Sequence, residues 1–270
     1  MTRAVWTGSL SFGLVNVPVA LFGATEQKSI RFHQFQVGTA DRVRSRRVNE
    51  RTGDVVPYED IVKGYDLGGG EYVLVSPEEI ASVAPGKSRT IDVTGFVDLG
   101  QIDPVYFDRA YYIAPPANAG VGVDRAYALL REAMLRASKA ALASFVLRER
   151  QYLAAIRPRA DALVLETLFY ADEVRDPVQE IGTLPTDAQW SSQELDTALL
   201  LIDAMATDWH PERYHDAYRE RLEDLIDTKR AGAVVPEAPP APEGAPVIDL
   251  LQALEASLRA TRRSARQRAS

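Results

Sequence analysis

The run Arg42-Val43-Arg44-Ser45-Arg46-Arg47-Val48 carries the strongest chemical signal in this sequence. Read as a strand, it puts Arg42, Arg44 and Arg46 on one face at a spacing of about 6.6 Å. Like charges so close repel unless something anionic and extended neutralises them, and a phosphate backbone fits that description. The planar guanidinium also matches phosphate geometry better than an ammonium does. The plainer reading is a solvated edge strand that uses charge to block aggregation. Lys28 and Arg31 before the run, and Arg51 after it, weigh toward anion binding.

Enzymatic patterns are scarce by comparison. Gly86-Lys87-Ser88 ends like a phosphate-binding loop, but that loop needs a glycine at position 81, which is alanine. No serine sits in a G-x-S-x-G turn. His210 and His215 straddle Pro211-Glu212-Arg213-Tyr214, an i, i+5 spacing that suits one helix face poorly. The pairs Glu78/Glu79 and Asp172/Glu173 sit at helix starts or in loops, where they compensate the helix dipole. Zero cysteines exclude a disulfide framework, a thiolate metal site and thiol catalysis. Neither a catalytic group, a metal nor a cofactor is expected.

Charge is segregated along the 270 residues. Residues 1–51 hold eight Lys/Arg against three Asp/Glu, and residues 256–270 hold Arg259, Arg262, Arg263, Arg266 and Arg268 with no acid. The body between them is acidic enough to bring the whole chain to −7. Such a distribution points to anionic contact at chosen places. The N-terminus lacks the apolar core of a signal peptide, and no apolar run reaches membrane-spanning length, so a cytoplasmic location is expected.

The elements that must carry these residues read as follows. The first 120 residues suggest short strands broken by turns: Ile30–Phe35, Tyr72–Val75 and Thr90–Val93 alternate. Ser76-Pro77-Glu78-Glu79 opens a short capped helix. From Asp124 the period becomes helical, with Ala126, Leu130, Ala133, Met134 and Ala137 on one face. Strand-like runs follow at Phe145–Leu147 and Leu163–Phe169. Two helices come next, one with Leu195, Leu199, Ile202 and Met205 in line, the other beginning after Pro211 with Tyr214, Tyr218, Leu222 and Leu225. Residues 231–246 are a Pro/Ala linker. In residues 247–270, Leu250, Leu251, Leu254 and Leu258 form an amphipathic helix before an Arg-rich end. That helix can serve as a docking peptide or pack back on the body, and its arginines can touch nucleic acid or solubilise the end. Basic strands and loops without a base-reading element favour sequence-independent backbone contact.

The order of residues resembles the bacterial Ku family of DNA-end-binding proteins. The resemblance runs through Ala4–Val19, Arg31-Phe32-His33-Gln34, Val56–Tyr65, Ile102–Asp108, Asp172–Pro177 and Leu225–Lys229. It implies an α+β fold: a core over residues 1–230 made of a β-barrel with a bridging arm and inserted short helices, followed within it by C-terminal helices. It also implies a homodimer whose arms close a ring around duplex DNA. A body of this length has a radius of gyration of only about 18 Å, so a pair encircles a duplex more readily than one chain. By position, Arg46 and Arg47 resemble the basic residues at the root of the family's arm, flanked by Arg42, Arg44 and Arg51. Lys87, Arg89, Arg148 and Arg150 are further phosphate contacts by the same reading. The tail resembles the region that recruits a multifunctional ATP-dependent DNA ligase with a polymerase domain, with Leu250, Leu251, Leu254 and Leu258 as its docking face. Some members carry cysteines near the Asn49–Gly53 turn; this chain has none, so no metal is expected there. The competing expectations are a general nucleoid coat and a metal-dependent nuclease using His210, His215, Asp203, Asp208 and Asp216.

Overall fold

A computed structural model describes residues 3–39, 41–83, 86, 88–185, 188–232, 257 and 259. The chain divides into two compact units, residues 1–180 and 181–270.

The first unit is built on a closed barrel. Its strands are β1 (Trp6–Phe12), β2 (Val15–Gly23), β5 (Thr90–Asp98), β6 (Phe107–Ala114), β7 (Lys139–Leu147), β8 (Arg150–Pro158) and β9 (Leu163–Leu168). They run in the order β1-β2-β6-β9-β8-β7-β5, and β5 meets β1 again to close the cylinder. Every neighbouring pair is antiparallel except that closing one, where Ser9, Leu10 and Ser11 face Thr90, Ile91 and Asp92 in parallel. Inward residues alternate with outward ones: Leu10, Val17, Val19, Leu21, Ile91, Ile113, Phe145, Ile156, Leu163 and Leu165 are buried together. Alanines at 141, 143 and 154 share this interior, small residues among large ones as a narrow barrel requires.

The seam is tight at Gly8. A Cβ there would collide with the Arg89 carbonyl and the Trp6 ring, so only glycine lets β1 approach the chain entering β5. The Ser9 N–H donates to that same Arg89 carbonyl (2.8 Å).

Helix α2 (Val121–Ala137) starts three residues before the expected Asp124, behind Gly120 at φ 84°. It sends Leu130 and Met134 into the core. Its half-buried Tyr127 joins two strands: the hydroxyl donates to the Ile113 carbonyl (2.7 Å) and accepts from the Leu163 N–H (2.8 Å). Burial raises the Tyr127 pKa, partly opposed by the Leu163 N–H. On the outer wall, Arg157 and Glu166 form a two-pronged ion pair (2.9 Å for each contact) that raises the arginine's pKa.

Between β2 and β5 the chain makes a long excursion. It contains a 3-10 turn (Tyr58–Asp60), a two-stranded hairpin of β3 (Lys63–Gly68) and β4 (Glu71–Val75), and helix α1 (Pro77–Val83). The expected capping box holds α1: Glu79 N–H donates to Ser76 Oγ (3.1 Å) and Ser76 N–H to Glu79 Oε2 (2.8 Å). No described residue between Gly23 and Ile91 is buried.

Two strand expectations fail here. Ile30–Phe35 is not a strand, and neither is Arg42–Val48; each takes part only in isolated bridges, Phe35 to Arg42 and Val48 to Val55. Local turns claim these backbone groups, and no sheet neighbour lies alongside.

After the short helix α3 (Pro177–Ile181), the second unit contains α4 (Ser192–Met205) and α5 (Ala217–Arg230). Ser191 and Glu194 cap α4 reciprocally, and the Ser191 N–H lowers the Glu194 pKa. Leu195, Leu199, Ile202 and Met205 line up on α4 as expected, and all four are exposed. The second helix begins later than expected. Pro211 opens a 3-10 turn (Pro211–Arg213), so Tyr214 lies outside α5 and stacks on Trp209 with centroids 5.1 Å apart. The docking stripe Leu250, Leu251, Leu254 and Leu258, and most of the Arg-rich end, lie outside the described residues.

Tyr127→Phe strips a partner from two backbone groups. It is expected to lower stability by about 1–3 kcal/mol in denaturant unfolding, with the fold retained.

Candidate nucleic-acid interface

The arginines of the excursion sit on two consecutive turns. In the first, the Val43 N–H donates to the Gln34 carbonyl (2.9 Å) and the Gln36 N–H to the Asp41 carbonyl (3.0 Å), which brings Arg42 back beside Phe35. Gly38, at φ 78°, supplies the bend. In the second, the Val56 N–H donates to the Arg47 carbonyl (3.0 Å) and the Asn49 N–H to the Asp54 carbonyl (2.8 Å). Asn49 Oδ1 accepts from the N–H groups of Arg51 (3.0 Å) and Thr52 (3.2 Å) and shapes the tip. Arg44 and Arg46 lie on the stretch between these turns.

Lys28, Arg31, Arg42, Arg44, Arg46, Arg47 and Arg51 are all exposed. None has an acidic partner within ion-pair distance among the described residues. Elsewhere in the unit, Arg109, Arg136, Lys139, Arg157, Arg159 and Arg175 do pair with carboxylates. Seven cations without an ion-pair partner among the described residues are thus gathered on the excursion.

Arg89, Arg148 and Arg150 form a second group at one rim of the barrel. Antiparallel pairing of Asp92 with Ser144 sets the start of β5 beside the end of β7, and Leu147 faces Arg150 across the β7–β8 turn. Trp6 braces this rim: its indole N–H donates to the Val146 carbonyl (3.0 Å), and its ring meets Phe145 edge-on with centroids 6.1 Å apart. The Arg150 guanidinium lies 5.8 Å from the Tyr152 ring centroid. An open groove of about 410 Å³, lined in part by Ser88, Thr90, Ser144 and Gln151, runs beside it. Lys87 lies outside the described residues.

The β7–β8 turn is strained. Arg148 and Glu149 both have positive φ, 49° and 68°. A two-residue turn of this hand suits Asn-Gly, because a Cβ is disfavoured in that region.

Two residues escaped the sequence reading. His33 Nδ1 lies 2.7 Å from Arg42 Nη2, and Tyr58 lies under the Arg47 guanidinium, 5.1 Å from centroid to carbon. Their faint signal is an aromatic standing just outside each turn, His33 before Gln34 and Tyr58 after Pro57. Of the groups considered for metal chemistry, His210 Nδ1 is 3.3 Å from Glu212 Oε1.

The fold is a closed, largely antiparallel barrel with an arginine-bearing excursion before its closing strand, the architecture implied by the resemblance to the Ku family. Residues 11–197 match the family described as the Ku70/Ku80 beta-barrel domain. The chain is 51% identical over 248 residues to non-homologous end joining protein Ku 3 of Saccharopolyspora erythraea, covering 92% of this chain and 93% of that one. It is 39% identical over 266 residues to the Ku of Mycobacterium tuberculosis, covering 96% and 95%. With the Ku of Pseudomonas aeruginosa it shares 40% over 264 residues, covering 96% and 89%. The chain belongs to the bacterial Ku family, DNA-binding proteins of repair by non-homologous end joining.

Glu149→Gly relieves one of the two disfavoured turn residues while keeping Arg148. It is expected to raise stability by roughly 1 kcal/mol, read as a higher Tm in thermal unfolding.

Proposed function

We propose that this chain is a non-catalytic, sequence-independent binder of double-stranded DNA ends. In this reading it acts as a ring-shaped homodimer at the nucleoid and recruits a multifunctional ATP-dependent DNA ligase through its C-terminal segment. The observation that carries the reading is the set of exposed arginines on the excursion, free of acidic partners among the described residues, in a chain of the Ku family. Guanidinium groups displayed this way release counterions from phosphates without regard to base sequence. Arg31, Arg42, Arg44, Arg46, Arg47 and Arg51, with Lys28, are the proposed phosphate contacts there; Lys87, Arg89, Arg148 and Arg150 extend them along the barrel rim.

Exposed apolar side chains support a second copy. Phe32, Phe35, Tyr65, Tyr72 and Leu74 all stand in solvent on the excursion, and a two-stranded hairpin is marginal by itself. A two-fold pair covers such surface and leaves a closed ring. A closed ring loads by threading over a free end, which gives specificity for breaks without any base contact.

Two outcomes are expected. In gel-shift competition at near-physiological salt, open linear duplex competes well, whereas equal masses of closed-circular and hairpin-capped DNA compete poorly. Equal competition by circles would instead favour a side-binding coat. Truncation after Lys229 keeps end binding and loses stimulation of the ligase; intact stimulation by the truncated chain removes the docking role of Leu250, Leu251, Leu254 and Leu258.

A further inference from the structure

Arg42 and Arg47 are each held by an aromatic side chain, and by the same local device. The first turn returns the chain to Val43 opposite Gln34, and His33, one residue outside it, reaches Arg42. The second returns the chain to Val56 opposite Arg47, and Tyr58, two residues outside it, lies under the Arg47 guanidinium. A guanidinium has donors only, so Arg42 Nη2 donates and His33 Nδ1 accepts. At Arg47 the attraction is between the cation and the π face of the ring.

Carboxylates were available for both tasks. Asp41, Glu50, Asp54, Glu59 and Asp60 all lie in the same stretch, yet none is within ion-pair distance of either arginine. A carboxylate would hold the arginine and cancel its charge. An accepting ring nitrogen and a phenol ring restrain the long side chain and add no negative charge to cancel its own. Arginine surrenders considerable rotamer freedom when it is fixed on a ligand, so restraint beforehand lowers the entropic cost of binding.

We infer that His33 and Tyr58 are positioning residues that hold Arg42 and Arg47 ready for DNA phosphates without neutralising them. The inference rests on the phosphate-binding reading of those two arginines.

The test is fluorescence anisotropy of the full-length protein on a short blunt duplex across a KCl series. His33→Ala with Tyr58→Ala is expected to weaken binding, each change by about threefold, and to leave the log–log salt slope unchanged, because the same phosphates are still met. Arg42→Ala with Arg47→Ala is expected to flatten that slope by roughly 0.9 per lost contact. In that background lacking Arg42 and Arg47 the two aromatic substitutions should change nothing further. His33→Gln with Tyr58→Phe, which keeps an acceptor and a ring face, should restore wild-type affinity.

The inference is overturned if the His33→Ala, Tyr58→Ala protein binds like wild type. It is overturned equally if that pair still costs affinity without the arginines, or if His33→Gln with Tyr58→Phe is as weak as the alanines. Wild-type affinity and slope in Arg42→Ala, Arg47→Ala would bring down the phosphate reading of those arginines and this inference together. A flattened slope there, beside unchanged binding by His33→Ala, Tyr58→Ala, removes the inference alone.

Discussion

Closure of the barrel through the parallel contact of β1 with β5 is the constraint on which the remaining geometry rests. A seven-stranded sheet left open would present two long edges with unpaired backbone groups. Closing it requires β1 to lie against a chain arriving from far along the sequence, and Gly8 makes that approach possible by having no side chain. Trp6 then lies across the seam's end, tied to Val146 and packed on Phe145. The rim that carries Arg89, Arg148 and Arg150 is therefore set by the same few atoms that shut the cylinder.

The barrel and the excursion divide the physical work. Inside the barrel, alternating aliphatic residues are buried, and on its wall the half-buried Arg157 and Glu166 are matched in a two-pronged ion pair. The excursion buries nothing among its described residues and leaves its arginines without acidic partners. A guanidinium without a carboxylate partner keeps its charge available to other anions. The segment is accordingly shaped by glycine, asparagine and backbone hydrogen bonds rather than by ion pairs.

The sequence disclosed parts of β5, β7 and β9 among the barrel strands, and the helices where hydrophobic period and capping agreed. Thr90–Val93 alternates, Leu163–Leu168 is a nearly continuous apolar run, Ser76 and Glu79 carry the capping box, and Leu130 and Met134 fall on the buried face of α2. It misled where charge alternation imitated a strand. Arg42, Arg44 and Arg46 have period two, but a strand needs a neighbour, and Gly38, Asn49 and Gly53 on either side bend the chain into turns first. The start of α5 was misplaced for a related reason: Pro211 signals a helical start, and the turn it opens ends after three residues. His33 and Tyr58 could not be assigned from spacing alone, because their partners are reached only across turns whose register the sequence does not specify.

The excursion also bears on how the fold can vary. It leaves the barrel after Gly23 and returns at Thr90, so its two ends are pinned by strands that are already part of a closed cylinder. The entropy of joining two such fixed points grows only with the logarithm of the length between them, and doubling that length costs about 0.6 kcal/mol. The cylinder is thus nearly indifferent to how much chain is spliced in at this point. Reach and charge on the excursion can be lengthened, trimmed or rewritten over generations while the scaffold that presents them keeps its register.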